Sequence, residues 1–223
     1  MKSPRDMIVV QIDITNACIH QCSNCTRFCG HHKKPFFMDF ETFKRAVHSL
    51  DGYVGVVGLM GGEPTLHPEF TRMAQYLASH RAPMGENHMH LPQTHLMDAV
   101  HDLEYSNTYP YPMRDTQRAA INGAGLWTTN VEGYKKYYEI IQDNIKYQMI
   151  NDHSNPMYHQ PILISRKALG INDDEWHKLR DNCWIQNTWS ATITPKGAFF
   201  CEVAGALDML FEGPGGWEIM WNM

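Results

Sequence analysis

Within the first eighty residues, β-branched runs and amphipathic helical stretches alternate twice, and this alternation constrains the fold more than any other feature of the chain. Residues 8–14 read Ile-Val-Val-Gln-Ile-Asp-Ile, β-branched and partly alternating, which predicts a strand. A cysteine-rich loop follows. Asp39 then stands at a helix N-cap position, Phe40, Phe43, Val47 and Leu50 recur at helical spacing, and Asp51-Gly52 supplies the stop. Residues 53–60 form a short apolar run that ends in Gly61-Gly62-Glu63-Pro64, the pattern of a buried strand stopping in a glycine turn. His67-Pro68 opens a second helix with Phe70, Met73 and Leu77 on one face. Strand, loop and helix in this repeated order predict a parallel sheet with crossover helices.

The alternation breaks at residue 82. Residues 82–125 are rich in His, Met, Pro and Asn, with one helical piece over residues 94–103, and read as an insertion or lid. The pattern resumes with a strand at Leu126-Trp127-Thr128-Thr129 and a helix placing Tyr134, Tyr137, Tyr138 and Ile141 on one face. Residues 145–150 and 161–165 are further strand candidates, and Asn172 or Asp173 caps a helix reaching about Asn182. Residues 191–201 hold two extended runs around Pro195-Lys196-Gly197, which predicts a hairpin. No internal repeat appears beyond the alternation.

Composition narrows the function classes. Nineteen basic against twenty-four acidic residues give a formal charge of −5, with no basic run to track a nucleic-acid backbone. No stretch approaches the roughly 18 apolar residues of a membrane span, and the first residues lack a signal-peptide core. The expectation is a cytoplasmic protein with no membrane and no nucleic-acid partner. Two counts stand out, six cysteines and thirteen histidines. Cys18, Cys22, Cys25 and Cys29 crowd into one loop, and a tight cluster of this kind marks metal or redox chemistry more often than disulfides in such a chain.

Cys18-x3-Cys22-x2-Cys25 offers three thiolates from one loop at a strand end, a soft donor set suited to iron–sulfur clusters or zinc. The segment resembles the C-x3-C-x2-C signature of the radical S-adenosylmethionine enzymes. Gly61-Gly62-Glu63-Pro64 resembles the methionine-binding turn of the same family and falls after the second strand, as it does there. One departure is Asn24, where the family often carries an aromatic before the third cysteine. The resemblance implies that Cys18, Cys22 and Cys25 hold a [4Fe–4S] cluster whose fourth iron binds S-adenosylmethionine. It also implies that Gly61, Gly62, Glu63 and Pro64 receive the amino group of S-adenosylmethionine. Reductive cleavage would then give a 5′-deoxyadenosyl radical that abstracts hydrogen from substrate, an electron donor such as flavodoxin or ferredoxin supplying the reductant. The alternative for the triad is a structural zinc knuckle completed by Cys29 or by one of His20, His31 and His32. Under the family reading, Cys29 is a free thiol, since a fourth cysteine ligand would block the position that S-adenosylmethionine needs.

Thr128, Thr129 and Asn130 close a strand at the end where barrel enzymes place their sites and are candidates for cofactor contact. Cys183-x13-Gly197-x3-Cys201 resembles the opening half of the SPASM-type auxiliary cluster region, which implies a second [4Fe–4S] cluster at Cys183 and Cys201. The gap from glycine to cysteine is three residues instead of four, and no cysteine follows Cys201. The tail after Cys201 does not read as a finished element and suggests a shortened version of a longer relative. His88, His90, His95 and His101 match no ligand spacing and read as a solvated lid, whereas His153 and His159 flank a turn and are candidates for substrate contact or proton relay.

The expected architecture is α/β, a partial (β/α) TIM-like barrel with an inserted segment and a C-terminal β-hairpin extension. Residues 1–182 would form the barrel, with 82–125 inserted, and residues 183–223 a partial SPASM or twitch-like region. About four or five βα units fit before Cys183, short of the six the family comparison leads one to expect. The expected function is radical S-adenosylmethionine chemistry on a small-molecule or peptide substrate, with peptide modification or a biosynthetic oxidation favoured. The rivals are a non-enzymatic metal-binding or electron-transfer module and a shortened paralogue without turnover.

Overall fold

The computed structural model describes residues 4–22, 25–82, 122–150 and 164–219. Its centre is a six-stranded sheet, β1 (Val9–Thr15), β2 (Val56–Gly61), β3 (Gly123–Thr128), β4 (Tyr147–Ile150), β5 (Ser190–Thr194) and β6 (Gly197–Phe199), in the order β4-β3-β2-β1-β5-β6. Every pairing from β4 across to β5 is parallel, and β6 alone runs antiparallel, to β5. The protein is therefore a mostly parallel α/β sheet, and among the described residues β4 and β6 are its two edges.

Period-two alternation gives the sheet two unlike faces. Val10, Ile12 and Ile14 of β1, Val57 and Leu59 of β2, and Leu126 of β3 point into one apolar core. Helices α1 (Phe40–His48) and α2 (Phe70–Ser79) close that face with Phe43, Val47, Phe70, Met73 and Leu77, as their helical spacing predicts. Asp39 caps α1, its Oδ1 accepting from the Thr42 amide at 2.9 Å. The opposite face carries Gln11 and Asp13 on β1 and Ser190 and Thr192 on β5, all buried. A parallel sheet covered on both sides is ordinarily apolar on both, so these buried polar side chains set this face apart from the other.

Several elements differ from the sequence expectation. Strand β3 starts at Gly123, inside the expected 82–125 insertion, because Gly123-Ala124-Gly125 carries no strand-forming side chains and is held by its ladder to Val56, Val57 and Gly58. The tyrosine-rich helix divides at Tyr137 into α3 (Val131–Lys136) and α4 (Tyr138–Asn144). Helix α5 (Asp173–Asp181) is capped by Asn172, as expected. The expected strand at 161–165 lies partly outside the described residues, and Ile164 and Ser165 are not in a strand. The helix expected over 94–103 lies wholly outside them. The first hairpin strand, β5, pairs with β1 rather than extending away from the sheet. Cys201 then begins a helix, α6 (Glu202–Leu210), and Trp217 pairs with Ala198 through two 2.9 Å backbone bonds. Residues 202–217 thus hold a helix and a bridge back to β6. Among the described residues no helix is long and apolar enough to cross a membrane.

Candidate functional site

The glycine turn and the root of the cysteine loop are packed backbone to backbone. The Gly62 amide donates to Thr15 O and the Glu63 amide to Ala17 O, both at 2.7 Å, one residue short of Cys18. Gly61 has φ of 133°, and a Cβ there would lie 2.0 Å from Thr15 O; one on Gly62 would lie 2.1 Å from Ala17 O. No other residue type allows this approach. Two motifs separated by some forty residues of sequence are thereby locked into one fixed geometry.

Glu63 is fully buried, and both of its oxygens are engaged by protein donors. Oε1 accepts from the Thr65 amide (3.0 Å), Thr65 Oγ1 (2.7 Å) and Thr128 Oγ1 (2.7 Å). Oε2 accepts from the Thr129 amide (2.9 Å) and Thr129 Oγ1 (3.3 Å). Asn130 completes the joint by donating to Thr65 Oγ1 at 3.1 Å. Thr128, Thr129 and Asn130 are thus brought against the glycine turn, and the agent is the Glu63 carboxylate. Pro64, itself buried, opens the single turn Pro64–Leu66 that Glu63 caps.

Beside this joint lies a cavity of about 310 Å³ whose wall includes Cys18, Cys22, Cys25 and Cys29 together with Gly61 and Gly62. Thr129 also reaches the wall, whereas Glu63, Pro64, Thr128 and Asn130 lie behind it. The six cysteines form no disulfide. Burial pushes the Cys18 and Cys22 thiols up, whereas Cys25 falls to about 5 chiefly because the Cys29 thiol donates to it. The same contact drives Cys29 up. Cys29 therefore sits in the site, next to a predicted ligand. Among the described residues, no three His, Cys, Asp or Glu side chains converge as a single metal ion would require.

Residues that carry no motif build the rest of the wall. Arg27, 7% exposed, turns back from the cysteine loop onto the polar face of β1. Its Nε donates to Asp13 Oδ1 at 3.2 Å, Nη2 donates to Gln11 Oε1, and Nη1 donates to Thr26 Oγ1 at 3.0 Å. Burial raises the Asp13 pKa against the pull of Arg27; burial also opposes the Arg27 charge, but Asp13 and Glu202 outweigh it and hold the guanidinium pKa up. Gln11, Glu202 and the indoles of Trp127, Trp184 and Trp189 complete the cavity. Gln11 and Asp13 were visible in the sequence as polar interruptions on one face of an apolar strand. Arg27 and Glu202 carried no such signal.

Cys183 follows α5, and Cys201 caps α6, its Sγ accepting from the Ala204 amide at 3.4 Å. Burial raises Cys201 to about 11. His88, His90, His95, His101, His153 and His159 lie outside the described residues, as does Asn24.

No protein-family profile matches the sequence, and no curated protein matches it either. The solved structures to which the chain is similar include two of BtrN. One is BtrN in complex with AdoMet and 2-DOIA, at a TM-score of 0.48 and 11% identity, covering 96% of this chain and 78% of that one. The other is BtrN in an open conformation, at a TM-score of 0.46 and 12% identity, covering 88% and 70% respectively.

Proposed function

We propose that this chain is a radical S-adenosylmethionine enzyme whose reaction chamber is the cavity bounded by the cysteine loop and the glycine turn. The observation that carries the reading is the pair of 2.7 Å backbone bonds from Gly62 and Glu63 to Thr15 and Ala17, which sets the two motifs on one wall. Three cysteine thiols on the wall of one cavity are a soft donor set of the kind that an iron–sulfur cluster takes.

Cys18, Cys22 and Cys25 would hold a [4Fe–4S] cluster, which when bound supplies the electron that cleaves S-adenosylmethionine and initiates hydrogen abstraction. Gly61 and Gly62 present side-chain-free backbone to the amino group, and Thr129 adds a hydroxyl on the same wall. Glu63 and Thr128 set the position of that backbone, and Asn130 and Pro64 brace it from behind. Trp127, Trp184 and Trp189 line the remaining wall with indole. Cys183 and Cys201 would give two thiolates to an auxiliary cluster, half the usual complement of four. Residues 1–182 would then be the catalytic unit and residues 183–223 the auxiliary region, although β5 shares the central sheet.

The test is anaerobic reconstitution followed by iron, sulfide and zinc analysis, then S-adenosylmethionine with a reductant. About four irons with sulfide, and release of 5′-deoxyadenosine, support the enzyme. One zinc and no sulfide overturns it. About eight irons, falling to about four in Cys183→Ala, support the auxiliary site, and about four in both remove it.

A further inference from the structure

The wall facing the cysteines is built to receive a positive charge. Glu202 is the first residue of α6 and is 8% exposed, yet it borders the cavity. Ser190 Oγ donates to its Oε2 at 2.8 Å. Its Oε1 accepts no hydrogen bond from a described residue and is not among the fully enclosed atoms, so the carboxylate keeps an acceptor open at the cavity wall. A carboxylate oxygen open to a cavity can accept a charge-assisted hydrogen bond from a ligand's donor.

Arg27 acts on Glu202 through its charge but gives it no hydrogen bond. Among the described lining residues Arg27 is the sole lysine or arginine, and its Nε, Nη1 and Nη2 donate to Asp13, Thr26 and Gln11. An anionic substrate entering the cavity would therefore find no uncommitted lysine or arginine. The remaining surface is aromatic. Trp127 lies over side-chain-free Gly58, where a Cβ would fall 2.0 Å from its ring, and Trp184 and Trp189 stand with centroids 5.9 Å apart. Indole faces attract cations, and a carboxylate gives an ammonium a charge-assisted partner.

We infer that the substrate of this chamber carries an ammonium group that binds Glu202, with its body against Trp127, Trp184 and Trp189. This rests on the cavity being the reaction chamber proposed above. Gln11, with its Oε1 held by Arg27, flanks the same wall and fixes its polarity. The ammonium belongs either to a small amine or to a lysine side chain, which are chemically equivalent at Glu202.

The experiment is isothermal titration calorimetry on the reconstituted full chain with three probes of equal body, cyclohexylammonium, cyclohexanol and cyclohexanecarboxylate. The ammonium is expected to bind about tenfold tighter than the alcohol, the gain of one hydrogen bond between charged groups, and the carboxylate to bind weakest. A carboxylate that binds as well as the ammonium overturns the inference. Glu202→Gln, whose amide oxygen still accepts from Ser190, should erase the preference for ammonium over alcohol, and a preserved preference overturns it. If that variant fails to fold, Trp184→Ala serves. Trp184 is half exposed, and its removal should weaken the ammonium by several-fold and the alcohol less; an equal loss for both overturns the inference. Nα-acetyl-lysine methylamide binding tighter than cyclohexylammonium assigns the amine to a peptide, and the reverse to a small molecule. Iron content and 5′-deoxyadenosine are measured on the same preparations. Turnover without ammonium preference overturns this inference alone, and ammonium binding without iron overturns the radical reading alone.

Discussion

Replacing Glu63 by glutamine separates a residue that holds the site together from one that touches the cofactor. The buried carboxylate accepts five hydrogen bonds, three at Oε1 and two at Oε2. A glutamine keeps the shape, and its amide nitrogen is best placed at the Oε2 position, where fewer donors are lost. There the Thr129 hydroxyl can turn to accept, but the Thr129 amide cannot and meets another donor. Losing one bond to a charged group costs about 1.5–3 kcal/mol, and stranding a part-buried N–H adds to it. The three bonds at the other oxygen also lose their charge assistance. Against this, a neutral amide is cheaper to bury than a carboxylate. The net expectation is a loss of about 2–3 kcal/mol of folding stability, a fall in Tm of roughly 5–10 °C for a chain of this size. Urea unfolding of the protein without cofactor, compared with the wild type, reads it directly. If Glu63 instead served only to bind the amino group of S-adenosylmethionine, the variant would unfold at the wild-type urea concentration and lose affinity for S-adenosylmethionine. That outcome would falsify the positioning role.

Gly62→Ala places a methyl 2.1 Å from Ala17 O, a backbone atom that cannot swing aside. The glycine turn must separate from the cysteine loop, and both stability (about 2–4 kcal/mol) and iron retention after reconstitution should fall; a variant as stable as the wild type would show that the two backbones are not in contact. Asp39→Ala removes the α1 cap and should cost ~1 kcal/mol in thermal unfolding. The Thr42 amide holds the Asp39 carboxyl below its ordinary value, so the cap's contribution is complete above the unfolded carboxyl pKa and fades as pH falls through the folded one. Wild type and variant should therefore converge in acid, and a constant gap across that range counts against the cap. Cys22→Ala should abolish cluster binding, whereas Cys29→Ala should retain about four irons. Equal loss in both would reassign the ligands, and the Cys25–Cys29 contact makes that comparison a stringent one.

What the sequence disclosed was what local chemistry determines. Asp39 announced α1, the helical spacing of Phe70, Met73 and Leu77 announced α2, and Pro195-Lys196-Gly197 announced the hairpin. The cysteine and glycine motifs were legible because each needs particular residue types at a fixed spacing. Long-range pairing was not. Val9 pairs with Ser190 across most of the chain, and nothing in either segment names its partner. Helix α6 was hidden for a different reason, since its cap is a cysteine and Gly205 interrupts its helical propensity. That glycine is there because a side chain would strike Thr192, 2.8 Å away, so a tertiary contact overrides the local preference.

Glu63 shows how the same limit applies inside the site. The motif alone suggested a carboxylate offered to a ligand, because the residues that consume it, Thr128 and Thr129, lie some 65 positions away. Once β3 is placed beside β2, the carboxylate has no capacity left, and the surface presented to the cavity is glycine backbone and the Thr129 hydroxyl. Glu202 is the converse. It sits in no motif, at the start of a helix that the sequence concealed, yet the fold leaves one of its oxygens open to the chamber. The motif carboxylate is spent on hydrogen bonds within the fold while one without a motif keeps an acceptor open, so on the ammonium inference substrate choice is encoded in the packing of α6 against β5.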